Sequence, residues 1–197
     1  MYDDGYTNNY NIDICENVIE FMKERCKDRK GMVFETMDVK NLSYKDESFD
    51  LIVDKSTIDA LLCGEHSFMN VATMTKEMSR VLKTGGIYLV ISYGDPESRM
   101  PHLEREHLGF DINIYTIKKE EEKEEESRNK SHYVYICKKM ECANENLKNY
   151  DLVYKDLEQN ELEDSYGEEE EEEENEDVKE EQPVKDKDVT KTKKSEK

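Results

Sequence analysis

Three aspartates, Asp13, Asp38 and Asp54, each stand at or just after a short apolar run. The third opens the string Asp54-Lys55-Ser56-Thr57-Ile58-Asp59-Ala60-Leu61. A carboxylate accepts two hydrogen bonds side by side, so Asp13, after Tyr10-Asn11-Ile12, suits a ribose diol. Asp38 suits the exocyclic amine of adenine, with the thioether of Met37 packed on the ring. If the apolar runs are parallel strands, their carboxyl ends share one edge, and ligands of open parallel sheets bind there. Asp54 and Lys55 then reach the same pocket, followed in the loop by Ser56, Thr57 and Asp59. A lone aspartate after a strand is often only a cap or turn residue. For residues 49–62 the competing reading is a salt-bridged strand end, with Ser56 or Thr57 capping a short helix.

The elements that must position these side chains alternate. Residues 11–14 read as a strand and residues 16–30 as a helix, with Val18, Ile19, Met22 and Cys26 along one face. Residues 32–38 and 50–55 are further strands, the second with the apolar centre of a strand buried on both faces. A helix is expected over 67–82, with Ser67 as its N-cap. Its stripe is Phe68, Val71, Thr75, Met78, Val81 and Leu82, and Gly85-Gly86 ends it ahead of a strand at 87–92. Strands alternating with helices imply a parallel sheet with right-handed crossovers. Residues 110–118 and 131–139 have no helix between them and read as an antiparallel hairpin. Its connection, 119–130, is mostly Glu and Lys and reads as a mobile charged loop.

Of the 197 residues, 40% are charged and the net charge is -20, too polar for one globular domain. The charge is unevenly spread. Residues 1–140 carry 27 acids and 20 bases, net -7, whereas residues 141–197 carry 22 acids and 9 bases, net -13. The division is therefore an α/β domain over 1–139 and an acidic, Lys-rich tail over 140–197. Leu147, Leu152, Val153, Tyr154 and Leu157 offer the tail one marginal helix. The rest has too little apolar surface to order and reads as disordered. A solvated tail is the simpler reading, and a lure for a basic partner the functional one. The cysteines, Cys15, Cys26, Cys63, Cys137 and Cys142, form no CxxC pair and have no histidines at ligand spacing, so no metal site is expected. No signal peptide or membrane-length apolar run is found, which implies a reduced, cytosolic or nuclear compartment.

Several pieces together resemble class I S-adenosylmethionine-dependent methyltransferases: Tyr2-Asp3-Asp4-Gly5-Tyr6-Thr7-Asn8, Asn11-Ile12-Asp13-Ile14, Met37-Asp38, Phe49-Asp50, the Asp54 to Leu61 string, and Arg80-Val81-Leu82-Lys83-Thr84-Gly85-Gly86. They are most similar to the branch that modifies elongation factor 1-alpha on lysine or at its N-terminus, which includes the endothelin-converting-enzyme-2-associated type. The resemblance covers about residues 1–139 and implies a Rossmann-like sheet of order 3-2-1-4-5-7-6. It implies that Asp13, with Ile14, holds the ribose of S-adenosylmethionine. Met37, Asp38 and Val39 would meet the adenine, and Asp54 would border the cofactor. It places Asp54, Lys55 and Asp59 at the methyl-transfer site. Where that branch usually has Ser after the second strand, this chain has Cys15, a weaker helix cap.

The resemblance also implies that the family's first strand and Gly-rich loop are not in this sequence. The nine residues ahead of Tyr10 hold a single glycine, and a crossover alone needs about a dozen residues. The family's strands 2 and 4 would then present two unpaired edges in mid-sheet, and Met1 reads as an internal methionine of a longer protein. Two functions compete on these grounds. One is a protein methyltransferase acting on a basic substrate such as elongation factor 1-alpha. The other is a non-catalytic methyltransferase-like interaction protein. The acidic balance argues against nucleic acid as a partner. A nicotinamide dehydrogenase is rejected, because no GxGxxG follows a first strand.

Overall fold

The computed structural model describes residues 1–118 and 131–141. A 3-10 turn, Tyr2–Asp4, leads to β1, Asn9–Asp13. Helix α1, Glu16–Arg25, connects β1 to β2, Met32–Thr36, and the two strands pair in parallel with Asp13 opposite Thr36. Strand β3, Phe49–Lys55, turns directly into α2, Thr57–Leu62, which is followed by α3, Ser67–Val81. Strand β4, Leu82–Ser92, pairs in parallel with β3. Helix α4, Pro96–Leu103, precedes the hairpin of β5, Phe110–Lys118, and β6, Ser131–Lys139. Strand β6 lies antiparallel between β4 and β5.

The alternation of strand and helix and the closing hairpin thus follow the apolar patterning. The pairing forms two sheets, β1–β2 and β3–β4–β6–β5. Among the described residues, β1 and β3 each have a strand neighbour on one side only.

Helix α3 supplies much of the core because its apolar residues recur at helical spacing. Val71, Met74, Met78 and Val81 are buried against Tyr88 and Val90 of β4 and Tyr135 and Cys137 of β6. Each fully buried side chain of this size contributes about 1.5–3 kcal/mol. Three polar side chains taken inside donate to backbone carbonyls. The Thr75 hydroxyl donates to the Val71 carbonyl, and Ser79 donates to the Leu108 carbonyl at 3.0 Å. The ammonium of fully buried Lys139 donates to the Leu82 carbonyl at 2.8 Å. Arg80 ties the connection ahead of β3 to α3, donating to the carbonyls of Leu42 and Tyr44 and pairing with Glu77 and Asp46.

Several boundaries and burials differ from the sequence expectations. Strand β1 starts at Asn9 and stops at Asp13. Helix α1 ends at Arg25, and of its expected stripe only Ile19 is buried, with Val18 exposed. His66, in the left-handed region, occupies the N-cap of α3 and Ser67 is already helical. Phe68 of the α3 stripe is exposed beside the His102 ring. The Gly85-Gly86 pair does not end the helix. The backbone turns extended at Leu82, and the glycines lie inside β4, where a Cβ on Gly86 would fall 3.0 Å from the Asp50 carbonyl oxygen.

Strand β3 is not buried on both faces: Leu51 is 38% and Val53 43% exposed. The sheet register places them beside Ile87 and Leu89, with Ile136 next across. The core helices pack instead on the face of Tyr88 and Val90. The charged connection 119–130, the marginal helix and the acidic tail lie outside the described residues. No helix among the described residues is long and apolar enough to cross a membrane.

His102 and His107 are buried, and desolvation, reinforced by the Arg105 charge, lowers each from the ordinary 6.5 to about 4. A folded-state value below the unfolded one stabilises the fold above pH 6.5, and that contribution is lost as pH falls toward 4. Denaturant midpoints measured across this window should fall with pH, and His102→Gln should reduce the slope.

Candidate functional site

The carboxyl ends of β1 and β2 meet because the strands are parallel and in register. The Met37 amide donates to the Asp13 carbonyl at 3.0 Å, which sets Met37 and Asp38 beside the end of β1. One Asp13 oxygen accepts from the Cys15 amide at 2.8 Å and starts α1, while Cys15 itself gives no side-chain cap. One Asp38 oxygen accepts from the Lys40 amide at 2.9 Å and the other lies 3.8 Å from the Lys40 ammonium. Asp13, Met37, Asp38 and Val39 are all half-buried, and Ile14 projects into solvent.

Asp54 occupies the corresponding end of β3 and is buried. Its carboxylate accepts from the Thr57 amide at 2.8 Å, the Ile58 amide at 3.2 Å and the Tyr88 hydroxyl at 2.9 Å. Asp54, rather than Ser56 or Thr57, therefore caps α2. Ser56 makes the sharp turn in the left-handed region at φ 67°, and its amide is held by the Ile91 carbonyl. Lys55 is exposed. Between β1 and β3 lies a cavity of about 270 Å³, lined by Tyr10, Asn11, Ile12 and Val39 on one side and Leu51, Ile52, Val53 and Asp54 on the other.

Asp59 is directed elsewhere. It sits on α2 and binds beyond the end of β4, where its carboxylate accepts from the Ser92 hydroxyl, the Tyr93 amide and the Arg99 guanidinium. Burial pushes the Asp59 carboxyl up. The bonds from Ser92 and Tyr93 and the Arg99 charge outweigh it and hold the group below its ordinary 3.8. The fold thus sets Asp13 beside Met37 and Asp38, brings Val39 and Asp54 to the adjoining cavity, and binds Asp59 to Ser92, Tyr93 and Arg99. Tyr88 and Arg99 were missed in the sequence reading. Tyr88 gives no signal in an apolar strand. Arg99 lies on α4, which Asp95-Pro96-Glu97 announces as N-cap, N1 proline and first-turn acid.

The methyltransferase domain family matches residues 6–165. The chain is 37% identical over 123 residues to the eEF1A lysine and N-terminal methyltransferase of Bos taurus, covering 59% of this chain and 17% of that protein. The corresponding Mus musculus protein is 44% identical over 95 residues, covering 47% and 14%. EEF1A lysine methyltransferase 4 of Bos taurus is 29% identical over 116 residues, covering 55% and 46%. The chain thus spans less than a fifth of the first two relatives and under half of the third.

Among solved structures, the N-methyltransferase NodS of Bradyrhizobium japonicum, in complex with S-adenosyl-L-homocysteine, has a TM-score of 0.53 at 18% identity, covering 66% of this chain and 65% of NodS. The [4+2]-cyclase SpnF has a TM-score of 0.55 at 14% identity, covering 71% and 69%. These likenesses establish the fold, and the cyclase among them shows that the fold alone does not fix a reaction. The chain belongs to the class I S-adenosylmethionine-dependent methyltransferase family.

The residues at the ends of β1 and β2 fit the adenosine half of that cofactor. Asp13 and Asp38 each use one oxygen for a local amide and keep acceptor capacity beyond it, and Met37 is a polarisable apolar neighbour.

Two substitutions test this site's framework. Tyr88→Phe removes one of three donors to buried Asp54 and should destabilise the protein by about 1.5–3 kcal/mol in denaturant unfolding. Asp59→Asn should lower stability at neutral pH, and its difference from wild type should vanish as pH falls below 3.8, because a carboxyl lowered by folding loses its contribution as it protonates.

Proposed function

We propose that this chain is the cofactor-binding part of a protein methyltransferase. It would modify a lysine side chain or an N-terminal amine of a basic translation factor of the elongation factor 1-alpha type. The observation that carries the target is the 37–44% identity to proteins named for that reaction. The acidic balance supports it as well, since a net charge of -20 attracts a basic protein and repels a nucleic-acid backbone. Such a substrate places the protein in the cytoplasm.

S-adenosylmethionine supplies a methyl group already activated on a sulfonium. The work left to the protein is to bind the nucleoside and to place an uncharged, dry amine in line. Asp13 takes the ribose hydroxyls, with Ile14 beside it. Met37 and Val39 flank the adenine, and Asp38 accepts from its amine. Asp54 fixes the turn from β3 into α2, which presents Lys55 outward, and Lys55 pairs with an acid of the substrate. Asp54 and Asp59 each already hold three or more hydrogen bonds, which suits orientation of the site better than proton acceptance.

A second reading has its own support. The edges of β1 and β3 that have no strand partner among the described residues suit a non-catalytic interaction protein that keeps these aspartates for the turns they build.

Titration calorimetry of the full chain with S-adenosylhomocysteine separates the two. Binding that Asp13→Ala weakens about 10- to 100-fold, with methyl transfer to purified elongation factor 1-alpha, is the expected result. A folded chain that neither binds nor transfers would leave the interaction protein.

A further inference from the structure

Strand β4 ends at the same edge of its sheet as β3, because the two are parallel. Its last residue, Ser92, is fully buried and uses the whole bonding capacity of its hydroxyl. The hydroxyl donates to Asp59 of α2, and it accepts from the Gly94 amide at 3.0 Å and from Arg99 Nε of α4 at 2.9 Å. Asp59 also accepts from the Tyr93 amide at 3.2 Å and from Arg99 Nη2 at 2.9 Å. The Gly94 carbonyl accepts from the Tyr135 hydroxyl of β6 at 2.7 Å. A Cβ on Gly94 would fall 2.1 Å from Cζ of the Arg99 guanidinium, so the glycine is what lets Arg99 lie against the turn. Two helices and a strand thus fix the backbone of residues 92–94.

The side chain this framework carries is not enclosed by it. The Tyr93 ring is 60% exposed among the described residues, and its centroid lies 4.4 Å from that of His132. The register accounts for the contact. Ser92 pairs with Tyr133 in the antiparallel ladder, so the next step sets Tyr93 across from His132. On the other side of β4, Lys55 pairs with Ile91, two residues before Tyr93. The ring therefore stands at the carboxyl edge, close in the ladder to the turn that Asp54 builds. A ring with a fixed backbone, packed on an imidazole, has little freedom left to lose on binding.

We propose that Tyr93 is a recognition residue for a cationic side chain. The face of its ring takes a lysine ammonium or an arginine guanidinium of a basic polypeptide, and the Asp59–Arg99 pair holds the backbone beneath it. The electron-rich face of a tyrosine attracts a cation within about 6 Å of its centroid. The Arg99 charge is met by Asp59, and Asp95, exposed two residues beyond Tyr93, adds a negative charge nearby. An aromatic platform also admits a stacked nucleobase, and charge decides between the two. A net charge of -20 draws a basic chain and repels phosphates. The identity of the polypeptide rests on the protein substrate proposed above, in which Tyr93 reads a basic residue beside the one modified.

The chain has no tryptophan, so Tyr93→Trp in the full chain puts a single indole on the platform. The probe is a short peptide of alternating Gly and Lys, paired with one whose central Lys is norleucine. The expected result is a shift in indole emission as the lysine peptide saturates the protein. In calorimetry, wild type should prefer the lysine peptide to its norleucine partner, and Tyr93→Leu should reduce that preference about three- to tenfold. A Leu variant that keeps the whole preference would overturn the proposal, because the preference would then come from net charge alone. So would peptide binding that leaves the indole emission unchanged, no binding at all, or an equal emission shift with single-stranded oligothymidylate. Methyl transfer to elongation factor 1-alpha, assayed on the same samples, keeps the two proposals apart. Preference without transfer would remove the methyltransferase and leave the platform, and transfer without preference would do the reverse.

Discussion

One buried carboxylate holds the centre of this fold in place. Asp54 closes β3, satisfies the first two amides of α2 and takes the hydroxyl of Tyr88 from β4. Three elements are thus fixed by groups that would each be costly to bury without a partner. The turn that makes this possible is itself unfavourable. Ser56 adopts a left-handed conformation that costs a non-glycine residue of order 1–3 kcal/mol, and the Ile91 carbonyl and the Asp54 cap restrain it there. Tyr88 stands at the middle of the core beneath α3, so the same interaction sets where the helical layer meets the sheet.

The other aspartates follow the same economy of means. Asp13 and Asp38 each hold a backbone amide two residues on, which turns the chain out of its strand and orients the carboxylate along the sheet's edge. A residue that builds the turn is thereby pre-positioned for a ligand, without a side chain left free to search for one. The competing readings of each aspartate, cap or ligand, are for this reason not exclusive. The geometry of the cap is what makes the ligand role available.

Much of this was legible in the sequence. The period-two and helical apolar patterns located β2, α3 and the β5–β6 hairpin, and the aspartates marked the strand ends. What failed has separate physical causes. Composition implies burial on both faces of β3, yet exposure depends on neighbours, and among the described residues Leu51 and Val53 stay partly open. The caps of α3 failed because Ser67 lies one residue past the His66 N-cap, and Gly85-Gly86 lie three and four residues past the Leu82 C-cap. Helix α4 went unread although Asp95-Pro96 signals its start, and with it went the Arg99 partner that Asp59 binds. Among the described residues β1 and β3 each pair on one side only.

The half-open sheet face along Leu51, Val53, Leu89 and Ile136 gives the molecule a colloidal character. An oily strip on a particle with twenty excess negative charges meets its copies only against a charge repulsion. At physiological ionic strength that repulsion reaches only about 8 Å. The approach of one strip to another is therefore governed by the salt around them as much as by the fold.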